Sequence, residues 1–501
     1  MKDAWIEDAV IYQVNLRALA AREPRNAIEA AREKPSDQSP LAYLERSLPV
    51  IRKLGVNVLY LMPPYPIGHD QRKGIGSPYS IRDFTAVDPE YGSLDELRAV
   101  VRRAHAVGLR VILDITPNHT SRDHVWTTRH PDFYVTIPGG GLYHDLDWTD
   151  TAKLDYRNPA LRKAMIDVYD FWLGCSGKGG GVAEGVDGFR LDMAHFINNP
   201  SFWDEALPEL KARHAPRELL FLAECYGTAN NFGLFQRGVN AAYDDDFYKV
   251  CLYGYAIDAR GQSMVRLSPD AKHNGDFNDK REAFERGGLA AAMATAVLNY
   301  ERTSPVGGRG PWLARYTDNH DEGRGLYRFG PGAVRAVNSL IFLLPHTLPF
   351  MLTGQEFGAL NRPPIHDRLR VCDKGRRLYS SGTELNEPGI EIEGTIFDRG
   401  FQARQGWYDF FKELIRLRRT TPELTRGGFE ILDPGEACPA PERTVMAFER
   451  RLPKSVVRCA VNLGPVARTL SNARLFKGKA IHGTLGKDGC LSPFSAVVVR
   501  E

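Results

Sequence analysis

Short runs of apolar and β-branched residues recur along the chain from residue 10 to about residue 353, and most are followed by a segment whose apolar positions repeat with helical spacing. The runs lie at 10–14, 56–62, 109–115, 186–191, 219–223, 241–247, 314–317 and 348–353. Such alternation is typical of βα units around a parallel sheet. Eight units predict an α/β fold, a (β/α)8 TIM barrel, with its site at the C-terminal strand ends.

The intervening segments carry signals for the start and end of helices. Ser93 is followed by Glu96 three residues later, which is the pattern of a capping box, and Gly108 closes the same segment. The spacing predicts helices over 41–54, 93–107, 158–173, 288–298 and 406–419.

Two segments depart from the alternating pattern. Residues 117–155 lose periodicity but are rich in His, Trp, Tyr and Gly, which predicts a short, ordered insertion subdomain after the third strand. After residue 425 the pattern changes to short alternating strands, which predict a C-terminal antiparallel β-domain. We therefore divide the chain into a barrel of residues 1–117 and 156–425, an insertion of 118–155 and a β-domain of 426–501.

Composition narrows the class of protein. The chain of 501 residues is 43% hydrophobic and 25% charged, as in soluble globular proteins, and its net charge of +3 comes with no dense Lys/Arg run. Nucleic acid and anionic membranes are therefore not expected partners. The charged N-terminus does not resemble a signal peptide, and no stretch approaches 18 apolar residues. Seven scattered cysteines without CxxC spacing indicate reduced thiols, so we predict a cytoplasmic protein.

The fourth apolar run leads into Arg190-Leu-Asp192. In an extended strand these two charged side chains point to the same face, so the guanidinium would lie beside the carboxylate. A nearby Arg would keep Asp192 ionised at neutral pH, as a nucleophilic carboxylate requires. An ordinary surface ion pair explains this segment equally well.

Three carboxylates stand at the ends of different predicted strands: Asp192 after the fourth, Glu224 after the fifth and Asp321 after the seventh. Carboxylates gathered at one rim repel each other, which raises the pKa of at least one of them. One protonated acid beside one ionised nucleophile is the requirement for cleaving a glycosidic bond with retention. Chance placement and metal ligation remain alternatives. Cys225 has no His placed beside it by any motif, so we do not expect it to be a nucleophile.

Four motifs together resemble the signature regions of the alpha-amylase superfamily, glycoside hydrolase family 13. They are Asp114-Ile-Thr-Pro-Asn118-His119, Gly185-Val-Asp-Gly-Phe-Arg190-Leu-Asp192, the strand ending at Glu224, and Asn319-His320-Asp321. They occur in the family's order and on the corresponding strands. The resemblance covers the whole chain, with the insertion matching that family's domain B and the tail its C-terminal β-domain.

The resemblance implies roles for individual residues. Asp192 would be the nucleophile, Glu224 the general acid/base, and Asp321 the third carboxylate, which binds sugar hydroxyls and stabilises the transition state. Arg190, His119 and His320 would hydrogen-bond the sugar, and Tyr79 would stack on its ring. His195-Phe196 stand where many members have Lys-His, so His195 is expected to line the aglycone side with an altered preference. Asp114 and Asn118 are expected to brace loops.

The resemblance also implies a function. We expect a retaining alpha-glycosidase that hydrolyses alpha-linked glucose oligosaccharides or small alpha-glucosides. A transglycosylase or isomerase acting on maltooligosaccharides, sucrose or trehalose is the alternative within the family, and a non-catalytic carbohydrate-binding protein is the alternative from another class. No cofactor is expected to be required. A structural calcium ion stays open, because position 196 supplies only a backbone ligand in calcium-binding amylases. It is not favoured, because the insertion is short and differs from their calcium-loop pattern. The oligomeric state is left open.

Overall fold

A closed barrel of eight parallel strands forms the centre of the molecule. The computed structural model describes residues 5–17, 39–174, 185–301, 310–359 and 405–501, with a few positions between 362 and 379. The strands follow the chain around the barrel and close between the last and the first. They are β1 (Ile11–Val14), β2 (Val58–Leu61), β3 (Arg110–Ile115), β4 (Gly188–Leu191), β5 (Leu220–Ala223), β6 (Ala241–Tyr243), β7 (Trp312–Arg315) and β8 (Thr347–Leu352). The predicted (β/α)8 barrel is confirmed.

Helices surround the barrel in the described part of the chain. They are α1 (Pro40–Leu54), α2 (Leu94–Ala106), α3 (Pro159–Gly174), α4 (Phe202–Arg213), α5 (Thr228–Gln236), α6 (Asp245–Gly254), α7 (Asn278–Glu301), α8 (Gly325–Leu343), α9 (Gln405–Thr420) and α10 (Pro422–Arg426). The capping box is present, since the Ser93 side chain accepts from the Glu96 backbone N–H while the Glu96 carboxylate accepts from the Ser93 backbone N–H. Among these helices, none combines the length and apolar character needed to cross a membrane.

Two predicted element borders are wrong. The sixth strand ends at Tyr243 instead of Phe247, because the Asp244 carboxylate accepts a hydrogen bond of 3.0 Å from the Phe247 N–H and starts α6. The helix predicted over 288–298 instead extends over Asn278–Glu301, with a break at Gly288, whose φ is 72°. A Cβ at Gly288 would lie 2.3 Å from the Arg443 carbonyl oxygen, so glycine is required where this helix meets the C-terminal domain.

The insertion after β3 folds as a small subdomain around a two-stranded antiparallel sheet. His119–Ser121 pairs with Thr151–Lys153, and a short helix, Val125–Arg129, lies between them. The Tyr156 hydroxyl donates to the Pro117 carbonyl oxygen at 2.7 Å, which ties the two ends of the insertion together. The exact boundaries of the three predicted domains stay predictions.

The C-terminal residues form the predicted antiparallel β-domain. Its strands are β9 (Gly428–Leu432), β10 (Val445–Leu452), β11 (Ser455–Asn462), β12 (Lys479–His482) and β13 (Ala496–Arg500), in the spatial order β9-β10-β11-β13-β12. The buried Arg450 side chain of β10 donates to the carbonyl oxygens of Leu343 at 3.1 Å and Leu424 at 2.7 Å. These bonds fix the β-domain against α8 and α10.

Aromatic rings pack inside the barrel below the C-terminal ends of the strands. The Phe350 ring lies 5.8 Å from that of Tyr60 and 5.7 Å from that of Tyr243, both in edge-on contact. The Arg190 guanidinium lies 5.6 Å from the Tyr243 ring. At Gly188 an added Cβ would lie 2.0 Å from the Leu220 carbonyl oxygen, so only glycine lets β4 approach β5 this closely. Packed aromatic rings and closely paired strands therefore lie below the polar groups at the strand ends.

Candidate active site

A fully buried guanidinium joins the ends of β3, β4 and β5. Arg190 Nη1 lies 2.9 Å from Asp114 Oδ1 and 2.6 Å from Asp192 Oδ1, and Arg190 Nη2 lies 3.0 Å from Glu224 Oε2. The ion pair expected from the strand alternation is therefore present. It is not an ordinary surface pair, because the Arg190 side chain has no exposed area and holds three carboxylates at once.

A second group of polar side chains continues this network across the barrel mouth. The Tyr79 hydroxyl donates to Asp114 Oδ2 at 3.0 Å and also contacts His320 Nε2. His320 Nε2 lies 3.2 Å from Asp321 Oδ2, and Gln13 Nε2 contacts His320 Nδ1 at 2.8 Å. Six of the predicted site residues therefore lie in one connected network: Tyr79, Arg190, Asp192, Glu224, His320 and Asp321.

The remaining two predicted residues lie beside this network. His119 begins the first strand of the insertion, where its ring lies 5.3 Å from that of Trp148 and Asn118 Nδ2 is 3.2 Å from its Nδ1. Burial lowers the pKa of His119 to about 4, so it is neutral at pH 7. His195 is half-buried, with its ring 6.1 Å from the Tyr226 ring in perpendicular contact. Within the described residues, His195 Nδ1 has no hydrogen-bond partner.

Tyr226 is a site residue that the sequence analysis missed. Its hydroxyl donates to Glu224 Oε1 at 2.6 Å, while the Met193 backbone N–H donates to Glu224 Oε2 at 3.0 Å. The Tyr226 side chain is 39% exposed, so it borders the open side of the site. No motif pointed to Tyr226, which stands two residues after Glu224 and beyond the end of β5, so strand alternation did not predict its direction.

Four carboxylates surround one guanidinium, so the site carries an excess of negative charge. Burial, and then the negative charges of Glu224 and Asp114, raise the pKa of Asp192 well above its usual range, although Arg190 opposes this. The expectation that the nearby Arg190 keeps Asp192 ionised is therefore wrong for this arrangement, because burial outweighs the guanidinium. Asp321 has a side chain that is 37% exposed towards the open site, and partial burial followed by the charge of Glu224 raises its pKa to about 7. The cluster therefore retains protons near neutral pH.

The pKa of Glu224 is shifted in the opposite direction. Burial alone would raise the pKa of its carboxyl, but Arg190 and the hydrogen bonds from Tyr226 and Met193 outweigh burial and lower it. Asp192 and Glu224 also contact the same Arg190 guanidinium, so the charge on either carboxyl affects the protonation of the other. In such a pair, one carboxyl can be protonated while the other is ionised.

Cys225, adjacent to Glu224, does not take part in this chemistry. Its side chain is buried, and burial followed by the charge of Glu224 raises the pKa of its thiol to about 12. A thiol of that pKa carries almost no thiolate at neutral pH, so it is a poor nucleophile.

Comparison with known proteins identifies the family. The model of the alpha-amylase catalytic domain matches residues 41–134 and 140–387, which contain every element of the network except Gln13. The chain belongs to the alpha-amylase superfamily. It is therefore an enzyme of the alpha-amylase type, a class that includes glycoside hydrolases and transferases.

Individual members of the superfamily align at modest identity. Alpha-amylase 3 of Dictyoglomus thermophilum is 21% identical over 543 aligned positions, which cover 99% of this chain and 94% of that protein. An alpha-1,4-glucan:maltose-1-phosphate maltosyltransferase of Rhodospirillum rubrum is 34% identical over 201 positions, covering 36% of this chain and 27% of that protein. The crystal structure of an alpha-amylase from Lactobacillus plantarum superposes with a TM-score of 0.68 at 23% identity, covering 99% of each chain. The structural likeness shows the common fold.

Proposed function

We propose that this enzyme is a retaining alpha-glycosidase that hydrolyses alpha-linked glucose oligosaccharides. The observation that carries this proposal is the binding of Asp192 and Glu224 by neighbouring nitrogens of the buried Arg190 guanidinium. This arrangement puts a candidate nucleophile and a candidate acid side by side at the barrel mouth, which supports a retaining mechanism. Names of related proteins, which include an alpha-amylase and an oligo-1,6-glucosidase, support alpha-glucans as the substrate class.

In the first step, an Asp192 carboxylate oxygen attacks the anomeric carbon while the bond to the leaving oxygen breaks. Glu224 donates its proton to that oxygen, and a β-linked glycosyl-enzyme forms on Asp192. In the second step, a water oxygen attacks the anomeric carbon, the ester bond to Asp192 breaks, and Glu224 takes the proton from the water. Two inversions at one carbon give an alpha product.

The first step needs the proton on Glu224 and a negative charge on Asp192. In this structure the pKa of Asp192 is raised and that of Glu224 is lowered, so the proton is favoured on Asp192. We propose that the proton moves from Asp192 to Glu224 when the sugar occupies the site, since both carboxyls contact the same guanidinium. A glycosidic oxygen beside Glu224 favours this transfer because it accepts a hydrogen bond from a protonated carboxyl but not from a carboxylate.

The other network residues would bind the sugar that is transferred to Asp192. The Tyr79 ring offers a face for stacking, and the His320 imidazole and the Asp321 carboxylate offer polar atoms for sugar hydroxyls. His119 would contribute from the insertion side. The His195 and Tyr226 rings stand on the Glu224 side of the cluster, which supports an aglycone or acceptor role for both.

Product analysis tests the proposal. The wild-type enzyme is incubated with maltooligosaccharides, sucrose and trehalose, and the anomeric configuration of the first product is read by NMR before mutarotation. We expect alpha-configured glucose or short oligosaccharides from maltooligosaccharides. A β-configured first product would exclude the glycosyl-enzyme on Asp192, and failure to cleave any of these sugars would exclude the substrate class.

Transfer to an acceptor other than water is the second candidate. The segment that matches the Rhodospirillum rubrum maltosyltransferase is 34% identical to it, compared with 21% for alpha-amylase 3 of Dictyoglomus thermophilum. That segment, however, covers 36% of the chain. The aromatic rings of His195 and Tyr226 beside Glu224 could hold a sugar acceptor in place of water. Longer maltooligosaccharides formed from maltose 1-phosphate or from maltotriose, without equivalent release of reducing sugar, would favour the transferase.

Tyr226→Phe tests whether Glu224 is the acid. The substitution removes the O–H that stabilises the Glu224 anion, so the pKa of Glu224 rises and its protonated form persists to higher pH. We expect the alkaline limb of the kcat/KM profile to move upward by about one pH unit. The control is Tyr143→Phe, an exposed tyrosine of the insertion, which should leave the limb in place. An unmoved or lowered alkaline limb in Tyr226→Phe would contradict the assignment.

A further inference from the structure

One lysine ammonium group is buried beside the active site. Lys153 ends the second strand of the insertion, and its side chain is 9% exposed. Its Nζ donates to Asp145 Oδ2 at 2.7 Å and to the Phe196 carbonyl oxygen at 2.8 Å, and it also lies 5.8 Å from the centre of the Phe196 ring. A buried lysine is rare unless it is paired, so this placement points to a specific task.

The groups around this ammonium come from separate segments of the chain. Asp145 belongs to the insertion, and Phe196 lies four residues after Asp192 in the loop that follows β4. Asn118, just after β3, donates through Nδ2 to the same Asp145 Oδ2 at 2.8 Å. A carboxylate and a backbone carbonyl converging on one positive charge are also the ligand types that hard cations such as Ca²⁺ take.

This set of residues does not fit a divalent cation. The backbone of position 196 is where the resemblance to calcium-binding amylases would put a calcium ligand, but here that carbonyl accepts from Lys153. The one carboxylate, Asp145, is already neutralised by the ammonium, and Asn118 presents N–H to it instead of an oxygen. A Ca²⁺ ion next to a buried ammonium would be repelled without further negative charge to offset it. Among the described residues, no group of three or more His, Cys, Asp or Glu could hold a metal ion.

We propose that the Lys153 ammonium takes the place of a structural divalent cation and acts as a positioning residue for the loop after β4. This loop carries Asp192 and then Met193, a non-glycine residue with φ of 45° whose N–H donates to Glu224. A backbone in that region is strained and persists only where its surroundings hold it. By binding the Phe196 carbonyl, Lys153 fixes the far end of the strained segment to the insertion.

The inference that Lys153 positions the loop after β4 for catalysis rests on the proposed roles of Asp192 and Glu224. The inference that its ammonium replaces a divalent cation does not depend on those roles. The Phe196 ring lies 4.8 Å from that of His195 and 6.2 Å from that of Trp148, so movement of this loop would also alter the aglycone side. Loss of the ammonium should therefore affect both the reacting groups and the binding of long substrates.

Lys153→Ser is the decisive variant, because it removes the ammonium and leaves a small space bordered by the Asp145 carboxylate and the Phe196 carbonyl. In EDTA we expect its kcat/KM to fall at least about tenfold, with both kcat and KM affected. Addition of CaCl2 should restore much of the loss and raise the unfolding temperature, because the space can now hold a cation. Wild-type activity and unfolding temperature should respond to neither EDTA nor CaCl2.

The matched control is Lys73→Ser. Lys73 is exposed and donates to the Asp147 carbonyl oxygen at 2.6 Å, so it also binds the insertion through a backbone oxygen. We expect wild-type behaviour from it in EDTA and in CaCl2. Isothermal titration calorimetry with CaCl2 measures calcium binding independently of enzyme activity. We expect binding in Lys153→Ser and none in wild type.

Three results would overturn the inference. They are a wild-type enzyme that loses stability in EDTA and recovers it with CaCl2, wild-type kcat/KM in Lys153→Ser, and no calcium response of that variant in either calorimetry or thermal unfolding. If Lys153→Ser does not fold, calorimetry and thermal unfolding of the wild type remain decisive, because calcium binding there excludes replacement by Lys153. If no substrate is cleaved by the wild type, the proposed function fails while these two measurements still test the cation site.

Discussion

Asp192→Asn should lower kcat/KM on alpha-linked glucose oligosaccharides by about 10⁴-fold, because the enzyme loses its nucleophile. An asparagine has the volume of the aspartate and can still accept a hydrogen bond from Arg190 through its amide oxygen. The fold of the barrel mouth should therefore survive, and the unfolding temperature should stay close to that of the wild type. What the amide lacks is the charge that lets a carboxylate oxygen form the ester bond to the anomeric carbon.

The measurement compares initial rates of reducing-sugar release with a surface control, Asp167→Asn. The Asp167 side chain on α3 is 57% exposed, and its contact with Arg213 is a long ion pair of 3.7 Å. Wild-type rates are expected from this control, since exposed ion pairs contribute little to stability. Mass spectrometry of quenched wild-type reactions should show a covalent sugar adduct that is missing in Asp192→Asn. Full activity in Asp192→Asn would exclude the mechanism.

The geometry around Asp192 was predictable because it follows from local backbone rules. Alternation along an extended strand puts Arg190 and Asp192 on one face, and parallel strands end at one rim, so Glu224 had to approach them. The wrong end of the sixth strand has an equally local cause. The segment 241–247 is apolar enough for a strand, yet the Asp244 side chain caps a helix that starts within it.

Contacts made by the insertion were not predictable in the same way. Lys153 reaches Phe196 across 43 residues of sequence, and no periodic pattern indicates that these two residues meet. Their contact depends on how an aperiodic segment folds back over the barrel. The position of the His119 ring also depends on how the insertion folds. The motif predicted that His119 lies near the site, but it could not predict that its ring packs on Trp148.

The sequence also could not predict which carboxyl of the site carries the proton. Three carboxylates at strand ends predicted that at least one pKa would be raised, and the structure agrees for Asp192 and Asp321. Which member of the pair is stabilised as an anion depends on Tyr226 and the Met193 N–H, because both donate to Glu224. Hydrogen bonds of this kind are set by distances of a few tenths of an ångström, which a sequence does not specify.

Glu224→Gln should show an effect that depends on the leaving group. With maltooligosaccharides, whose leaving alcohol needs a proton, we expect kcat/KM to fall by about 10³-fold, because a glutamine cannot donate a carboxyl proton. With alpha-glucosyl fluoride, whose leaving group needs little protonation, formation of the glycosyl-enzyme on Asp192 should continue at a rate near that of the wild type. The intermediate should then accumulate, because the variant also lacks the base that activates water.

Added azide should release that intermediate, since an anion needs no base to attack the anomeric carbon. Its product should be alpha-glucosyl azide, formed on the face opposite the β-linked ester on Asp192. The control is Glu205→Gln, whose side chain is 48% exposed and paired with Arg162, and which should show neither substrate-dependent loss nor an azide effect. Equal losses on the fluoride and on maltooligosaccharides, with no azide product, would show that Glu224 is not the acid/base. A β-glucosyl azide would instead mean that azide attacked the substrate directly, without a glycosyl-enzyme on Asp192.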